Sequence, residues 1–334
     1  MTPSLLNSLC LGSFVLLAGC GGGSQTITST NSTTDITDSI ANDVLIQNVD
    51  TSLFDIDAIE SIETVSCVLS NGTTSECYSI TASGFPSDRA ELGDFCPQSI
   101  SDNAESVGKW FDNGVLYDLT GEFVANLDTF YGDSFWQLYD QTTGSVKITD
   151  TQEACEAAAR PNVDAQYYNH CVECDINYYA EVEGQGVTST YLIPVTPIIA
   201  SSSSNIDGNV GVALNGVNLA AAAPTAAILG AYTIAAFDDC VGHVNPVAGY
   251  HYHGANHGDG DCPAIAFESD GHAGAFAYAM DGFLIYGMLD SEGNEPTDLD
   301  ECRGHSDDIR GYHYHTAGAG ENAFIGCFRG EVAR

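Results

Sequence analysis

Basic residues are scarce in this chain of 334 residues, which has 8 Lys and Arg against 46 Asp and Glu and a formal net charge of −38. The first of these basic residues is Arg89, so the N-terminal quarter has no Lys or Arg. Such a surface repels phosphate backbones and argues against nucleic acid as a partner. An acidic excess of this kind is typical of a solvated surface that also attracts cations.

The N-terminal region lacks a hydrophobic run long enough to span a bilayer. The apolar run over residues 9–18 has the length of a signal-peptide core instead. It ends in Leu17-Ala18-Gly19-Cys20, which resembles the lipobox of bacterial lipoproteins, although no Lys or Arg precedes the run. By that resemblance residues 1–20 are a lipoprotein signal peptide, and Cys20 is the lipidated, palmitate-carrying N-terminus of an exported, membrane-anchored protein of the cell envelope. Gly21 at the next position favours the outer membrane.

Aromatic residues are absent from residues 21–45, which are rich in Ser, Thr and Asn. Such a stretch has too little apolar surface to pack, so it is predicted to be a flexible tether. Residues 46–330 are predicted to form the folded domain, with a β-rich part over residues 65–207 and a histidine-rich module over residues 208–330.

Ten cysteines follow the signal region, and this even number predicts five disulfides in an oxidising compartment. Cys67 and Cys77 flank a turn at Asn71-Gly72-Thr73 and are expected to clip a hairpin. Cys171 and Cys174 form a Cys-x-x-Cys motif, which is also found as half of a zinc site. No second Cys-x-x-Cys occurs in the sequence, so disulfides are the favoured interpretation.

Short runs of β-favouring residues separated by turns predict a mainly β fold with a few short helices, arranged as a sandwich-like domain. A helix is predicted over residues 151–160 with Asp150 as its N-cap. The Ala-rich stretch 219–236 is expected to contain a second short helix. Clear strand candidates lie at residues 77–81, 135–139 and 190–193.

The C-terminal half contains an internal duplication. Asp239-Cys240-Val241-Gly242-His243 is followed, after five residues, by Gly249-Tyr250-His251-Tyr252-His253. The same pattern recurs 62 positions later as Glu301-Cys302-Arg303-Gly304-His305 and Gly311-Tyr312-His313-Tyr314-His315. Upstream, Ala213-Leu214-Asn215-Gly216-Val217 matches Ala279-Met280-Asp281-Gly282-Phe283 at an offset of 66. The repeat predicts two copies of one unit related by a pseudo-twofold axis.

One more cysteine follows each histidine pair of the duplication. Cys240 and Cys262 bracket the first pair as Cys302 and Cys327 bracket the second. A disulfide within each copy is therefore predicted. The partners of the remaining cysteines, apart from Cys67 and Cys77, stay open.

The tetrapeptide Tyr-His-Tyr-His favours a strand, in which alternate side chains point to opposite faces. Both histidines of a copy then share one face and can converge on a metal ion, while the tyrosines pack on the other face. A further histidine in each copy, His243 or His305, adds one ligand. The predicted metal ligands are His251, His253, His313, His315, His243 and His305.

Imidazole-rich sites suit transition metals, and copper or zinc is the expected ion. Calcium and magnesium prefer oxygen ligands. We expect the two histidine pairs to face each other across the pseudo-twofold axis and share one ion; a separate site in each copy is the alternative. Four acidic residues are candidates to orient the imidazoles through their distal N–H groups, namely Asp238, Asp239, Asp300 and Glu301.

These motifs resemble the YHYH protein family, which is named for the tetrapeptide. The resemblance covers about residues 65–330 and implies an exported protein, often a lipoprotein. His272 also falls where a histidine of the family is expected. The matching stretches are Ala82-Ser83-Gly84-Phe85-Pro86, Tyr191-Leu192-Ile193-Pro194, Val212-Ala213-Leu214-Asn215-Gly216-Val217, Phe237-Asp238-Asp239-Cys240, Ala279-Met280-Asp281-Gly282-Phe283-Leu284-Ile285-Tyr286-Gly287, Leu299-Asp300-Glu301-Cys302 and both Tyr-His-Tyr-His runs.

Three classes of function fit the sequence. The first is a cell-envelope lipoprotein that binds a transition metal through the duplicated His-x-His strands. The second is a metal-dependent enzyme, hydrolytic or oxidative, that uses the same histidines with Asp281 or Asp270 as general base. The third is a non-enzymatic adhesion or interaction module in which the histidines only form hydrogen bonds. A saturated four-nitrogen site argues for storage or structure, and an open position beside a pocket argues for catalysis.

Overall fold

A computed structural model describes residues 44–334, so Cys20, the predicted signal peptide and nearly all of the predicted tether lie outside the described residues. The strands are β1 Ile59–Val68, β2 Thr74–Ala82, β3 Lys109–Asp112, β4 Val115–Asp118, β5 Cys171–Val172, β6 Ser189–Pro194, β7 Ile199–Ser204, β8 Gly211–Ala213, β9 Asn218–Leu219, β10 Ile234–Ala235, β11 Gly242–Asn245, β12 Gly249–Tyr252, β13 Ala275–Ala279, β14 Leu284–Tyr286, β15 Gly304–Asp307, β16 Gly311–His315 and β17 Phe328–Gly330. The α-helices are α1 Gly121–Ala125, α2 Leu127–Phe130, α3 Gln152–Ala158 and α4 Thr225–Gly230. Within this part of the chain, none of the helices has the length and apolar character needed to cross a bilayer.

The fold is mainly β, as predicted, and two sheets face each other. A three-stranded sheet has the order β1-β2-β6, and an eight-stranded sheet has the order β11-β12-β9-β8-β13-β14-β16-β15. Ile80 and Tyr191 of the small sheet share a buried cluster with Val212 and Tyr278 of the large one. This packing of one sheet on another agrees with the sandwich-like arrangement expected from the alternating pattern.

Two of the three strand candidates are confirmed, since residues 77–81 lie in β2 and residues 190–193 in β6. The prediction of a strand at 135–139 was wrong: that segment makes only an isolated bridge, between Tyr139 and Val146. Trp136 and Leu138 of this segment are buried because they pack in a second hydrophobic cluster with Trp110 and Phe237, not because they pair in a ladder, and Phe135 is exposed.

Both predicted helices are present. The first begins after Thr151 rather than after Asp150, because the Thr151 hydroxyl accepts the hydrogen bond from the Ala154 backbone N–H. The second, α4, is a single short helix within the Ala-rich stretch.

The large sheet contains the duplication as a pseudo-twofold arrangement. Copy 1 consists of β8, β9, β11 and β12, and copy 2 of β13, β14, β15 and β16. In each copy, taken in chain order, the first two strands pair antiparallel and so do the last two. The second and fourth strands of each copy pair in parallel, β9 with β12 and β14 with β16. The copies meet through the antiparallel pair β8 and β13 at the centre of the sheet.

Five disulfides link the ten cysteines of the described residues, as predicted. The three specified pairs, Cys67–Cys77, Cys240–Cys262 and Cys302–Cys327, are confirmed. The open pairings are resolved as Cys96–Cys171 and Cys155–Cys174. Both cysteines of the Cys-x-x-Cys motif are therefore consumed by disulfides to different partners, which removes the zinc alternative there.

Candidate metal centres

Two hairpins, β11–β12 and β15–β16, bring the histidines of each copy together. His243 stands directly opposite His251, and His305 directly opposite His313. Because opposite residues of an antiparallel pair point to the same face, the third histidine of each copy joins the His-x-His pair through hairpin register. The four tyrosines of the two motifs are buried in the hydrophobic core on the other side, as the alternation predicts.

A steric constraint explains the glycine that precedes His243 and the one that precedes His305. A Cβ atom on Gly242 would stand 2.1 Å from the Tyr250 hydroxyl, and one on Gly304 would stand 2.0 Å from the Tyr312 hydroxyl. The tyrosine ring therefore packs directly against the glycine backbone, and the glycine before the histidine allows this contact within the hairpin.

In copy 1, the three-histidine cluster comprises His243, His251 and His253. The His251 Nε2 atom lies 3.1 Å from the Nε2 atom of His243 and 3.0 Å from that of His253. The Phe237 ring packs on this cluster, with its centroid 4.8 Å from that of the His243 imidazole.

In copy 2, the four-histidine cluster comprises His272, His305, His313 and His315. The His313 Nε2 atom lies 3.0 Å from the Nε2 atom of His305 and 3.2 Å from that of His272. The Nε2 atoms of His305 and His315 are 3.2 Å apart. His272 comes from the segment before β13, so a residue outside the hairpin completes this cluster.

Backbone carbonyls hold most of these rings. The Nδ1 atom of His251 is 3.0 Å from Gly249 O, and that of His313 is 2.9 Å from Gly311 O. His253 and His315 make the equivalent contacts at 2.9 and 2.7 Å, and His272 makes one at 2.8 Å; the acceptors are Ala221 O, Gly287 O and Ala273 O. A carbonyl only accepts, so each Nδ1 carries the proton and donates it, and each Nε2 presents a lone pair to its cluster.

The spacing of the Nε2 atoms is that of ligands around one ion. Metal–nitrogen bonds of 2.0–2.1 Å in tetrahedral geometry put ligand nitrogens about 3.3 Å apart. Lone pairs that converge at 3.0 Å, as between His251 and His253, or at 3.2 Å, as between His272 and His313, repel each other unless a cation lies between them. The arrangement can therefore hold a metal ion in each copy.

Burial lowers the pKa of five of these imidazoles and so favours their neutral form, which is the form that ligates metal. It lowers the pKa of His251 and of His313 to about 4, and that of His315 to about 3. Burial also holds the pKa of His243 and of His253 well below the usual value, and the neighbouring imidazoles add to this effect.

The expectation of one shared site was wrong. Four strands separate β12 from β16 in the sheet, which corresponds to roughly 24 Å at the usual spacing of about 4.8 Å per strand. The two histidine pairs thus lie on opposite sides of the pseudo-twofold axis, and each copy gathers its own cluster.

The acidic residues proposed to orient the imidazoles make other contacts. Asp238 accepts hydrogen bonds from the Tyr250 hydroxyl at 2.6 Å and from two backbone N–H groups of the following turn, and Asp300 does the same with the Tyr312 hydroxyl at 2.9 Å. Both anchor the tyrosine and the turn. The carboxylate that does hold an imidazole is Asp298, whose Oδ1 atom is 2.9 Å from His305 Nδ1.

The two aspartates considered as a general base do not face the three-histidine cluster. Asp281 is fully buried and accepts hydrogen bonds from the Tyr314 hydroxyl and the Gly330 N–H. Asp270 is on the copy 2 side, where it pairs with Arg310.

The copies differ in how completely the histidines surround an ion. The position of His272 is occupied in copy 1 by Ile206, 66 residues earlier, so copy 1 lacks the fourth imidazole. Beside the three-histidine cluster lies a cavity of about 430 Å³, lined by all three of its histidines and by Asn218. Sequence reasoning missed Asn218, because its place beside His251 depends on the pairing of β9 with β12.

This fold and these sites define a class of protein: a duplicated β-sheet domain, held by disulfides, with two histidine clusters that can hold metal ions. The family model described as YHYH protein matches residues 190–298, about a third of the chain, and this match supports the assignment to that family. The matched segment contains the first Tyr-His-Tyr-His and ends before the second. No curated protein and no solved structure matches the chain.

Proposed function

We propose that this protein is a cell-envelope lipoprotein that binds two transition-metal ions, one in each histidine cluster. The observation that carries the proposal is the convergence of Nε2 lone pairs at 3.0 Å between His251 and His253 and at 3.2 Å between His272 and His313, with the Nδ1 protons turned away to carbonyl oxygens. Hydrogen bonding alone does not account for the His251–His253 and His272–His313 contacts, because all four Nδ1 atoms donate to backbone carbonyls and neither Nε2 atom of a pair has a proton to donate to the other.

Copper or zinc is the proposed ion. Every cysteine among the described residues is in a disulfide, so the clusters offer imidazole nitrogen and no thiolate. Imidazole suits both metals, and the order of intrinsic affinities favours copper where both compete. A metal-binding role also fits the strongly acidic surface, which concentrates cations near the protein.

Metal content tests the proposal. Protein purified with its disulfides intact and equilibrated with zinc should contain two ions per chain by elemental analysis. The double variants His251→Ala/His253→Ala and His313→Ala/His315→Ala should each retain one ion, because the clusters are independent.

His170→Ala is the matched control, since His170 belongs to neither cluster and its Nδ1 atom contacts only the Tyr168 carbonyl. This variant should keep two ions. Metal-free parent protein under saturating zinc would contradict the proposal, and loss of both ions in either double variant would contradict independent sites.

The membrane anchor is proposed from the lipobox-like sequence alone. Cys20→Ala should move the protein from the membrane fraction to the soluble fraction of the native host, measured by fractionation and immunoblotting. Full retention in the membrane fraction would count against a lipid anchor at Cys20.

A metal-dependent enzyme is the second candidate, favoured by the cavity beside the three-histidine cluster. Three protein ligands leave a coordination position for water or substrate, as in catalytic zinc sites. Hydrolysis of a panel of chromogenic esters should then depend on added metal and disappear in His251→Ala/His253→Ala while persisting in His313→Ala/His315→Ala. The same rates in both double variants would argue against catalysis at this cluster.

A further inference from the structure

The cavity beside the three-histidine cluster has a predominantly apolar wall. Its side chains come both from copy 1 and from the N-terminal part, and include Val172, Ala227, Ile228 and Ala235. At about 430 Å³ it lies in the range of small-molecule sites. A ligand that enters it can bury an apolar body next to the position that three imidazoles leave open on an ion.

Charge at this site favours an anion. The three imidazoles are neutral donors, so a divalent ion bound to them keeps its full charge. No carboxylate occurs among the described residues that line the cavity, and the one charged side chain there is Arg160, which pairs with Asp164. An anionic oxygen from outside is therefore the complementary ligand for the open position.

Asn218 adds a second requirement. It lies directly beside His251 in the register of β9 and β12, lines the cavity, and is 6% exposed. Its Oδ1 atom is buried and has no hydrogen-bond partner among the described residues. A buried acceptor without a donor is costly, and a hydroxyl group of a ligand would satisfy it.

We propose that the metal-loaded three-histidine cluster binds a small hydroxycarboxylate with an apolar body. The carboxylate oxygen occupies the open position on the metal, the body fills the cavity, and the neighbouring hydroxyl donates to Asn218 Oδ1. The inference rests on the proposed function, because it needs the ion in place.

The four-histidine cluster serves as an internal control. Its fourth imidazole occupies the position that is open in copy 1, and the sequence equivalent of Asn218 is Leu284. The groove beside it is lined by acidic side chains, among them Asp270, Asp290 and Glu292, which repel anions. The same ligand should therefore not reach this second ion.

Cobalt provides the readout, because its visible absorption responds to a change of ligand. The full folded domain, with its disulfides intact, is loaded with Co²⁺ and the bound metal is counted; it is then titrated with mandelate and with phenylacetate, which differ only by the hydroxyl. Both should change the spectrum of one of the two ions, and mandelate should bind about tenfold more tightly, the usual effect of one hydrogen bond. Asn218→Leu should remove this preference, and Ala227→Phe, which fills the cavity, should weaken both ligands relative to acetate.

The possible outcomes distinguish a failure of the proposed function from a failure of the ligand inference. Failure to bind Co²⁺ would overturn the proposed function itself. Two bound Co²⁺ ions with no response to either carboxylate, or equal affinities for mandelate and phenylacetate, would overturn the ligand inference alone. In Asn218→Leu, an unchanged spectrum of the four-histidine cluster verifies that the variant is folded, and a mandelate preference retained there would also overturn the inference.

Discussion

Acid should destabilise the metal-free protein because its clustered histidines are buried in the neutral form. Burial lowers the pKa of His251 and of His313 to about 4, whereas an imidazole in the unfolded chain titrates near 6.5. Between these two values the unfolded state binds more protons than the folded state. The free energy of unfolding therefore falls as the pH is lowered through this window and is fully recovered above it.

The size of the effect follows from the width of the window. A difference of about 2.5 pKa units corresponds to about 3.5 kcal/mol for each of the two residues, since one unit is about 1.4 kcal/mol. Solvent screening changes this little, because the two side chains are 2% and 1% exposed. Together they account for about 7 kcal/mol, which is comparable to the whole stability of a typical domain. Metal-free protein should therefore approach unfolding near pH 4.

The assay is urea unfolding followed by fluorescence of Trp110 and Trp136, in chelator, at a series of pH values from 7 to 4.5. The control is His251→Gln/His313→Gln, in which neither side chain titrates. Protonation of the many surface carboxylates also changes stability in this range, so the difference between parent and variant isolates the histidines. The reasoning would be refuted if the free energy of unfolding of the parent were the same at pH 7 and pH 4.5 and that of the variant depended on pH no less strongly.

Three further predictions concern single elements of the two copies. Replacing Cys240 and Cys262 with alanine should lower the free energy of unfolding by about 3 kcal/mol in the chain-entropy model, measured by urea unfolding, because the bridge closes a loop with a sequence separation of 22; no change in the midpoint would show that the bridge adds nothing. Gly242→Ala should cost about 1–3 kcal/mol and release the ion of the three-histidine cluster, since the new Cβ would meet the Tyr250 hydroxyl; unchanged zinc stoichiometry and stability would contradict the packing argument. His272→Ala should leave three imidazoles in copy 2, so its Co²⁺ spectrum should become sensitive to azide, and an azide response identical to that of the parent would show that His272 is not a ligand.

The sequence alone determined the local features of this protein. The alternation in Tyr-His-Tyr-His requires both histidines to lie on one strand face. The spacing of the bracketing cysteines in each copy, and of the hairpin pair Cys67 and Cys77, predicted the three disulfides that the structure contains. These features depend on residues close in the chain, where the period of a strand and the geometry of a turn leave few alternatives.

The tertiary structure decided how many sites there are and how they differ. The sequence revealed two equivalent copies but not the order of their strands, and that order places β8 and β13, rather than the histidine strands, at the pseudo-twofold axis. The sequence also did not reveal which groups accept the hydrogen bonds of the imidazole Nδ1 atoms, because the acceptors are backbone carbonyls such as Gly287 O, which every residue has. Likewise, His251 and Asn218 are neighbours only because two strands 33 residues apart in the chain pair in parallel. Long-range pairings of this kind are set by the packing of the whole sheet rather than by local sequence.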